Sequence, residues 1–164
     1  MPILNFTTEV PAEKTAAEIQ ARLVKAKAQA VLMEFDPDGV LTHLSFRVET
    51  QHGPVAFRLP ANVEGVRRTL LGNPKIPRRL QTKAHAARVA WRIVKAWVDA
   101  QLAVIEAGMA ALPEVFLPYA QTATGETVYE RFVAQGMPAL SGPPGPSAPT
   151  LPAPARGGEE GGPA

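Results

Sequence analysis

The sequence predicts an α+β domain in which a small antiparallel sheet is packed by helices. Short runs of alternating apolar residues, separated by turn signals, follow one another over residues 30–59. Apolar residues at helical spacing lie on either side of these runs, over residues 12–28 and 83–111. The composition, with 46% hydrophobic and 20% charged residues, is typical of a globular protein. We expect the order β-α-β-β-β-α-α-α.

The N-terminal region predicts one strand and one helix. Residues 3–8, ILNFTT, are expected to form a short strand that leads into Pro11. The helix over residues 12–28 follows, with Thr15 and Glu18 at the spacing of a capping box, although the proline also permits an earlier start. The apolar stripe of this helix consists of Ala16, Ile19, Leu23 and Val24.

Three further strands are predicted in close succession. They cover residues 30–36, 40–50 and 54–59; the first is rich in β-forming residues, and the other two each place apolar side chains on one face. The run Asp36-Pro37-Asp38-Gly39 has the proline and glycine positions of a tight turn, and residues 51–53 supply the next one. We therefore expect an antiparallel meander whose dry face is covered by the first helix.

The second half of the domain predicts helices. Asn62 is an N-cap for a short helix over residues 63–71, and Thr82 caps a long helix over residues 83–111. A proline-stiffened basic loop, residues 72–82, joins them. The shorter pieces that follow are an extended or short helical stretch at 113–120 and a last helix at 126–135.

The C-terminal region differs in composition from the rest of the chain. Residues 137–164 contain eight prolines and six glycines in 28 positions. Such a segment buries too little apolar surface to offset the entropy of ordering it. We expect a single domain at residues 1–136 and a disordered Pro/Gly-rich tail at 137–164. The tail resembles those of single-strand DNA-binding proteins in composition alone, and its acidic end, Glu159 and Glu160, has the charge to compete with a polyanion.

Several classes of protein are disfavoured by the sequence. There is no cysteine, so disulfides, thiolate metal sites and a cysteine nucleophile are excluded. His43, His52 and His85 stand on different predicted elements without metal-ligand spacing, and no nucleotide-binding or hydrolase motif is present. We expect no enzyme, cofactor or metal site. With no signal-peptide pattern and no membrane-length apolar run, we expect a cytoplasmic protein, in the host cell if it is phage-encoded.

Charge is segregated along the chain. Residues 1–64 carry six cations and eight acids, residues 65–98 carry nine cations and no acid, and residues 99–164 carry two cations and seven acids. The nine cations are Arg67, Arg68, Lys75, Arg78, Arg79, Lys83, Arg88, Arg92 and Lys95. Two interpretations stay open: a basic face that pairs with the protein's own acids, or a surface for a polyanion, most often nucleic acid.

The predicted long helix concentrates part of this charge in one stripe. Arg88, Arg92 and Lys95 fall on one side, and Asp99 closes the stripe because it stands four residues after Lys95. The apolar side is wider than one sheet face requires, so a second subunit is one way to cover it. Trp91 lies at the border of the stripe, where it either packs in the core or offers a ring for base stacking.

Several segments are similar to those of a known group of proteins. The runs AFRLPAN, AARVAWRIVK and EVFLPY are the most specific, within a likeness that covers about residues 10–135. The chain resembles uncharacterised proteins of tailed phages, prophages and integrative elements. This resemblance implies a genomic setting rich in DNA replication, recombination and packaging, and it assigns no role to any residue.

Two hypotheses follow. The first is a non-enzymatic nucleic-acid-binding accessory protein of a phage or mobile element, with DNA favoured and largely sequence-independent backbone contacts. Arg78 and Arg79 would contact phosphates from the loop, Arg88, Arg92 and Lys95 would follow the backbone along the helix, and the remaining cations would extend the patch. The second is a protein-interaction module that binds a replication, recombination or virion protein, or that forms a homodimer through the long helix.

Overall fold

The computed structural model describes residues 2–140 and confirms the α+β class. Its helices and strands, in chain order, are α1 (Ala12–Lys25), β1 (Ala30–Phe35), β2 (Leu41–Thr50), β3 (Gly53–Arg58), α2 (Val63–Leu71), α3 (Lys83–Glu106), α4 (Leu112–Phe116) and α5 (Val128–Ala134). Single 3₁₀ turns lie at Arg78–Leu80 and Leu117–Tyr119. Among these residues no helix is both long and apolar enough to cross a membrane.

The sheet is the antiparallel meander that the turn signals predict. Its strand order is β1-β2-β3, and Phe46 at the centre of β2 stands between Val31 and Phe57. The turn at residues 36–39 is closed by a backbone hydrogen bond of 2.9 Å from the Gly39 N–H to the Asp36 carbonyl. β1 and β2 change register next to this turn, between Glu34 and Phe35.

The strand predicted at residues 3–8 is wrong. This segment is a turn, held by backbone bonds from Phe6 N–H to Ile3 O (3.2 Å) and from Thr8 N–H to Asn5 O (3.0 Å). Asn5 has a φ of 61°, in the left-handed region that asparagine tolerates better than most residues. β-favouring composition makes a strand only where a pairing strand is available, so the sheet in the described residues has three strands.

Both long helices end earlier than their apolar patterns predict. α1 stops because the chain turns left-handed at Lys27, where φ is 74°. α3 ends at Glu106 rather than residue 111, since Gly108 adopts a φ of 73° and the Met109 N–H donates back to the Val104 carbonyl at 3.0 Å. This bond satisfies a carbonyl of the last turn that would otherwise have no partner.

Two helix starts in the second half are confirmed at the predicted residue. The Asn62 side chain accepts a hydrogen bond from the Gly65 N–H (2.8 Å) at the start of α2. The Thr82 hydroxyl accepts from the His85 N–H (3.1 Å) at the start of α3. Both caps satisfy a first-turn N–H that has no partner within the helix. They fix where the basic loop ends and the long helix begins.

The core lies between the sheet and the helices. Both α1 and α2 pack on α3, and α1 also contacts β2. Phe46 stacks on Phe57 with ring centroids 5.3 Å apart, and Phe116 of α4 meets Phe46 edge-on at 5.4 Å. The apolar side of α3 is therefore largely covered within one chain.

The predicted tail falls almost entirely on residues whose structure is not described. Residues 137–140 form a turn after α5, and residues 141–164 lie outside the described part of the chain. The boundary at residue 136 and the character of the tail stay predictions.

Candidate nucleic-acid interface

The structure divides the nine predicted cations into two groups. Four of them form ion pairs with acids from other parts of the chain or from the preceding helical turn: Arg67, Lys83, Arg92 and Lys95. Within residues 2–140, the other five form no ion pair: Arg68, Lys75, Arg78, Arg79 and Arg88. Pairing with the protein's own acids therefore accounts for four of the nine cations, and the polyanion interpretation stays a prediction for the other five.

The second half of the α3 stripe is neutralised by acids. Glu18 of α1 accepts a hydrogen bond of 2.9 Å from Arg92 Nη1 and lies 3.9 Å from Lys95 Nζ. Lys95 also pairs with Asp99 at 2.6 Å, and Arg22 of α1 approaches the other oxygen of Asp99 at 3.4 Å. The predicted pair one turn apart is confirmed. Arg92 and Lys95 both bridge α1 to α3, so following a nucleic-acid backbone, as the sequence predicts, would require them to leave these acids.

Lys83 is also occupied, at the opposite end of α3. Its ammonium lies 2.5 Å from Asp36 Oδ2 and 3.2 Å from Asp38 Oδ2, in the turn between β1 and β2. This ammonium, together with the Val40 N–H, holds the pKa of Asp36 below its ordinary value. The same contacts with Asp36 and Asp38 raise the pKa of Lys83. The hairpin is thereby tied to the start of α3.

Acid should weaken this tie. A carboxyl whose pKa is lower in the folded state stabilises that state above its unfolded pKa, and the contribution is lost as the pH falls through the folded pKa. We expect the melting temperature to decrease when the pH falls below about 4. Asp36→Asn should lower the melting temperature at neutral pH and make it depend less on pH in the acid range. Thermal unfolding followed by circular dichroism between pH 7 and pH 2 measures this. An equal decrease of the melting temperature with falling pH in wild type and Asp36→Asn would contradict this prediction.

Glu130 is a second carboxyl that should contribute to the loss of stability at low pH, and it serves as the comparison for Asp36. The Thr127 backbone N–H and then the Arg58 guanidinium, 2.7 Å away, lower the pKa of its carboxyl. Glu130→Gln should therefore remove a separate part of the acid sensitivity, which leaves the part assigned to Asp36 in place.

The five cations without ion pairs follow one another along the chain. They lie from the last turns of α2, through the connecting loop, to the second turn of α3, and we call this stretch the basic segment (residues 68–88). The Gln81 side-chain amide donates to the carbonyls of Leu70 (3.4 Å) and Ile76 (3.0 Å), which ties the loop to the end of α2. Arg78 and Arg79 stand on the 3₁₀ turn, exposed to solvent.

Two of these arginines meet at one cleft. The cleft has a volume of about 590 Å³ and lies between the N-terminal turn and the start of α3. Arg79 and Arg88 line it together, and the opposite wall contains Thr7, Thr8 and Glu9. The first turn of α3 also opens here, and its free N–H groups favour an anion.

A buried histidine holds the two walls of the cleft together. His85 is 6% exposed, and its Nε2 lies 2.6 Å from the carbonyl oxygen of Phe6. Since a carbonyl accepts, Nε2 carries the proton and donates. The N-terminal turn was missed by sequence reasoning as part of the site, because a contact between residues 6 and 85 leaves no local pattern.

Trp91 belongs to the core. Its side chain is 0% exposed, and its indole N–H donates to the Leu41 carbonyl at 2.9 Å. The expected alternative, a ring offered for base stacking, is wrong for this residue. Trp97 is also engaged, edge-on to Phe116 (5.4 Å) and Tyr119 (5.2 Å). Neither tryptophan is placed to read a base.

The chemistry of the cleft is that of anion binding. Within the part of the chain that the structure describes, no group of three or more histidine or acidic side chains is arranged to hold a metal ion. Two guanidinium groups, three threonines and a helix start are suited to phosphate oxygens, and Glu9 opposes them.

The chain was compared with protein-family models, with curated proteins and with solved structures. None of these comparisons found a match.

Proposed function

We propose that this chain is a non-enzymatic nucleic-acid-binding accessory protein whose basic segment contacts the phosphate backbone. The observation that carries the proposal is the cleft at the start of α3, where Arg79 and Arg88 converge and neither forms an ion pair within residues 2–140. Arginine is suited to phosphate because its planar fork donates two parallel hydrogen bonds.

The packing of both tryptophans within the fold favours sequence-independent binding over stacking on bases. Phosphate contacts position a protein on nucleic acid, whereas sequence is read by side chains that reach base edges or stack on bases. Both tryptophans pack internally, and contacts from the exposed cations of the basic segment to phosphates would not depend on the base sequence. The resemblance to phage and mobile-element proteins favours DNA as the polymer and such an element as the setting.

A salt titration tests the proposal. Anisotropy of labelled single-stranded DNA, duplex DNA and RNA is measured with the full chain between about 50 mM and about 200 mM salt. If all five free cations reach phosphates, the slope of log affinity against log salt approaches about −4.5 on duplex. A slope near zero, or no binding at the lower salt concentration, would overturn the proposal.

Glu9 supplies a control of opposite sign. Glu9 lines the wall of the cleft opposite the two arginines, and its negative charge repels phosphate. Glu9→Gln should therefore raise affinity severalfold, while the same change at Glu49, on the sheet, should leave it unaltered. An equal gain in both variants would indicate a response to net charge and not to this cleft.

Self-association through the long helix, the alternative expectation, has less support. Val94 and Val98 of α3 are buried, and Trp97 packs against α4 and the 3₁₀ turn that follows it. The part of this apolar side that stays partly open is the end of α3, where Leu102 and Ile105 line a groove with Leu112.

A further inference from the structure

β1 is an open edge of the sheet. The opposite edge, β3, is partly covered, because Ala120 bridges to Phe57 and the Gln121 N–H donates to the Ala56 carbonyl at 2.8 Å. Within residues 2–140, β1 pairs with β2 and with no other strand. An uncovered edge presents backbone donors and acceptors that can pair with another strand.

The register shows which backbone groups are free. The Leu59 N–H donates to the Leu44 carbonyl, so alternate residues of β2 from Leu44 onward bond to β3. The residues between them bond to β1, which directs the N–H and C=O of Leu32 towards β2. The peptide groups of Val31 and Met33 therefore point away from the sheet.

The side chains of β1 do not protect this edge. Natural edge strands commonly carry lysine, proline or a covering loop, and the sequence AVLMEF has neither residue. Leu32 is 59% exposed and Phe35 is 53% exposed, both on this one strand. Glu34 is its single charge.

We propose that β1 pairs antiparallel with β1 of a second copy of this chain, so that two sheets join into one of six strands. In the register we infer, Leu32 faces Leu32 of the second copy across the two-fold axis. Val31 then stands opposite Met33 of the second copy, and their outward peptide groups form four hydrogen bonds over the two symmetric pairs. Glu34 comes to lie opposite Ala30.

Charge complementarity selects this register and a second copy as the occupant. Ala30 is paired on its other side with Arg47 of β2. Its small side chain leaves room for Arg47 to reach Glu34 of the second copy. Both charges are exposed, and neither forms an ion pair within residues 2–140. The symmetry supplies this pair twice, whereas a shift by one residue along each strand would place Leu32 opposite Glu34.

The oligomeric state of the full chain tests the proposal. Light scattering and sedimentation should give a concentration-dependent mass that approaches twice 17.5 kDa. Leu32→Lys should raise the dimer dissociation constant at least tenfold with an unchanged circular dichroism spectrum. Leu71→Lys, a change at a residue similarly exposed (52%) at the end of α2, should leave it unaltered. A wild-type chain that stays monomeric at all concentrations would overturn the proposal.

Charge exchange tests the register itself. Glu34→Arg or Arg47→Glu alone should weaken the dimer, and the two together should restore it. Failure of the double variant to recover would overturn the register. A dimer that survives Leu32→Lys and is lost with Leu102→Lys would overturn the proposal. It would place the interface instead in the groove between α1 and the end of α3, where Leu102 lies beside Ile105 and Leu112.

Discussion

Replacing Trp91 by alanine is expected to lower the free energy of unfolding by about 3–5 kcal/mol, the usual range for truncating a buried aromatic residue. The side chain is 0% exposed and lies where α3 meets β2. Truncation opens a cavity in a core already closed by α1 and α2. It also leaves the Leu41 carbonyl without its indole donor, and an unsatisfied buried acceptor adds its own cost.

Trp91→Phe separates the two contributions. Phenylalanine retains most of the apolar volume but cannot donate to Leu41, so we expect a smaller loss of about 1–3 kcal/mol. Urea unfolding followed by circular dichroism, with an unchanged slope against urea, measures both variants. Trp97 remains as a fluorescence probe in each. An alanine variant within about 1 kcal/mol of wild type would contradict the burial that the prediction rests on.

The elements that the sequence predicts correctly are those with a local cause. Asn62 and Thr82 cap α2 and α3 through a backbone N–H only three residues away, and such a contact can be read from neighbouring letters. The turn at residues 36–39 is equally local. The prediction of a strand at residues 3–8 was wrong because a strand needs a pairing partner elsewhere in the chain, and composition does not reveal that partner.

The candidate site could be predicted only in part for the same reason. The acid-free stretch is visible in the sequence, and so is the pair of Lys95 with Asp99 one helical turn later. The pairing of Glu18 with Arg92 joins residues 74 positions apart and depends on how α1 packs against α3. The position of Trp91 at the border of the stripe allowed either a buried or an exposed ring. Burial follows from how the sheet and α1 pack around α3, which the sequence does not show.

Charge reversal in the cleft should have the largest effect on nucleic-acid affinity. Arg79→Glu with Arg88→Glu is expected to lower affinity at about 100 mM salt by tenfold or more, and to reduce the salt slope by about 2, close to 1 for each lost phosphate contact. Stability should change little, because neither arginine forms an ion pair within the described residues. Anisotropy titrations and thermal melts of the same preparations provide both measurements.

Two matched double variants show whether the effect belongs to the cleft. Lys25→Glu with Lys27→Glu changes the net charge equally at two exposed positions where α1 ends, so it measures the response to overall charge. Arg92→Glu with Lys95→Glu places two more acids beside Glu18 and Asp99, and we expect it to cost stability more than affinity. If this stripe variant, still folded, lost more affinity than the cleft variant, nucleic acid would have to displace Glu18 of α1 and Asp99 of α3 and bind along α3. The ion pairs between the two helices would then compete with nucleic acid for the same arginine and lysine.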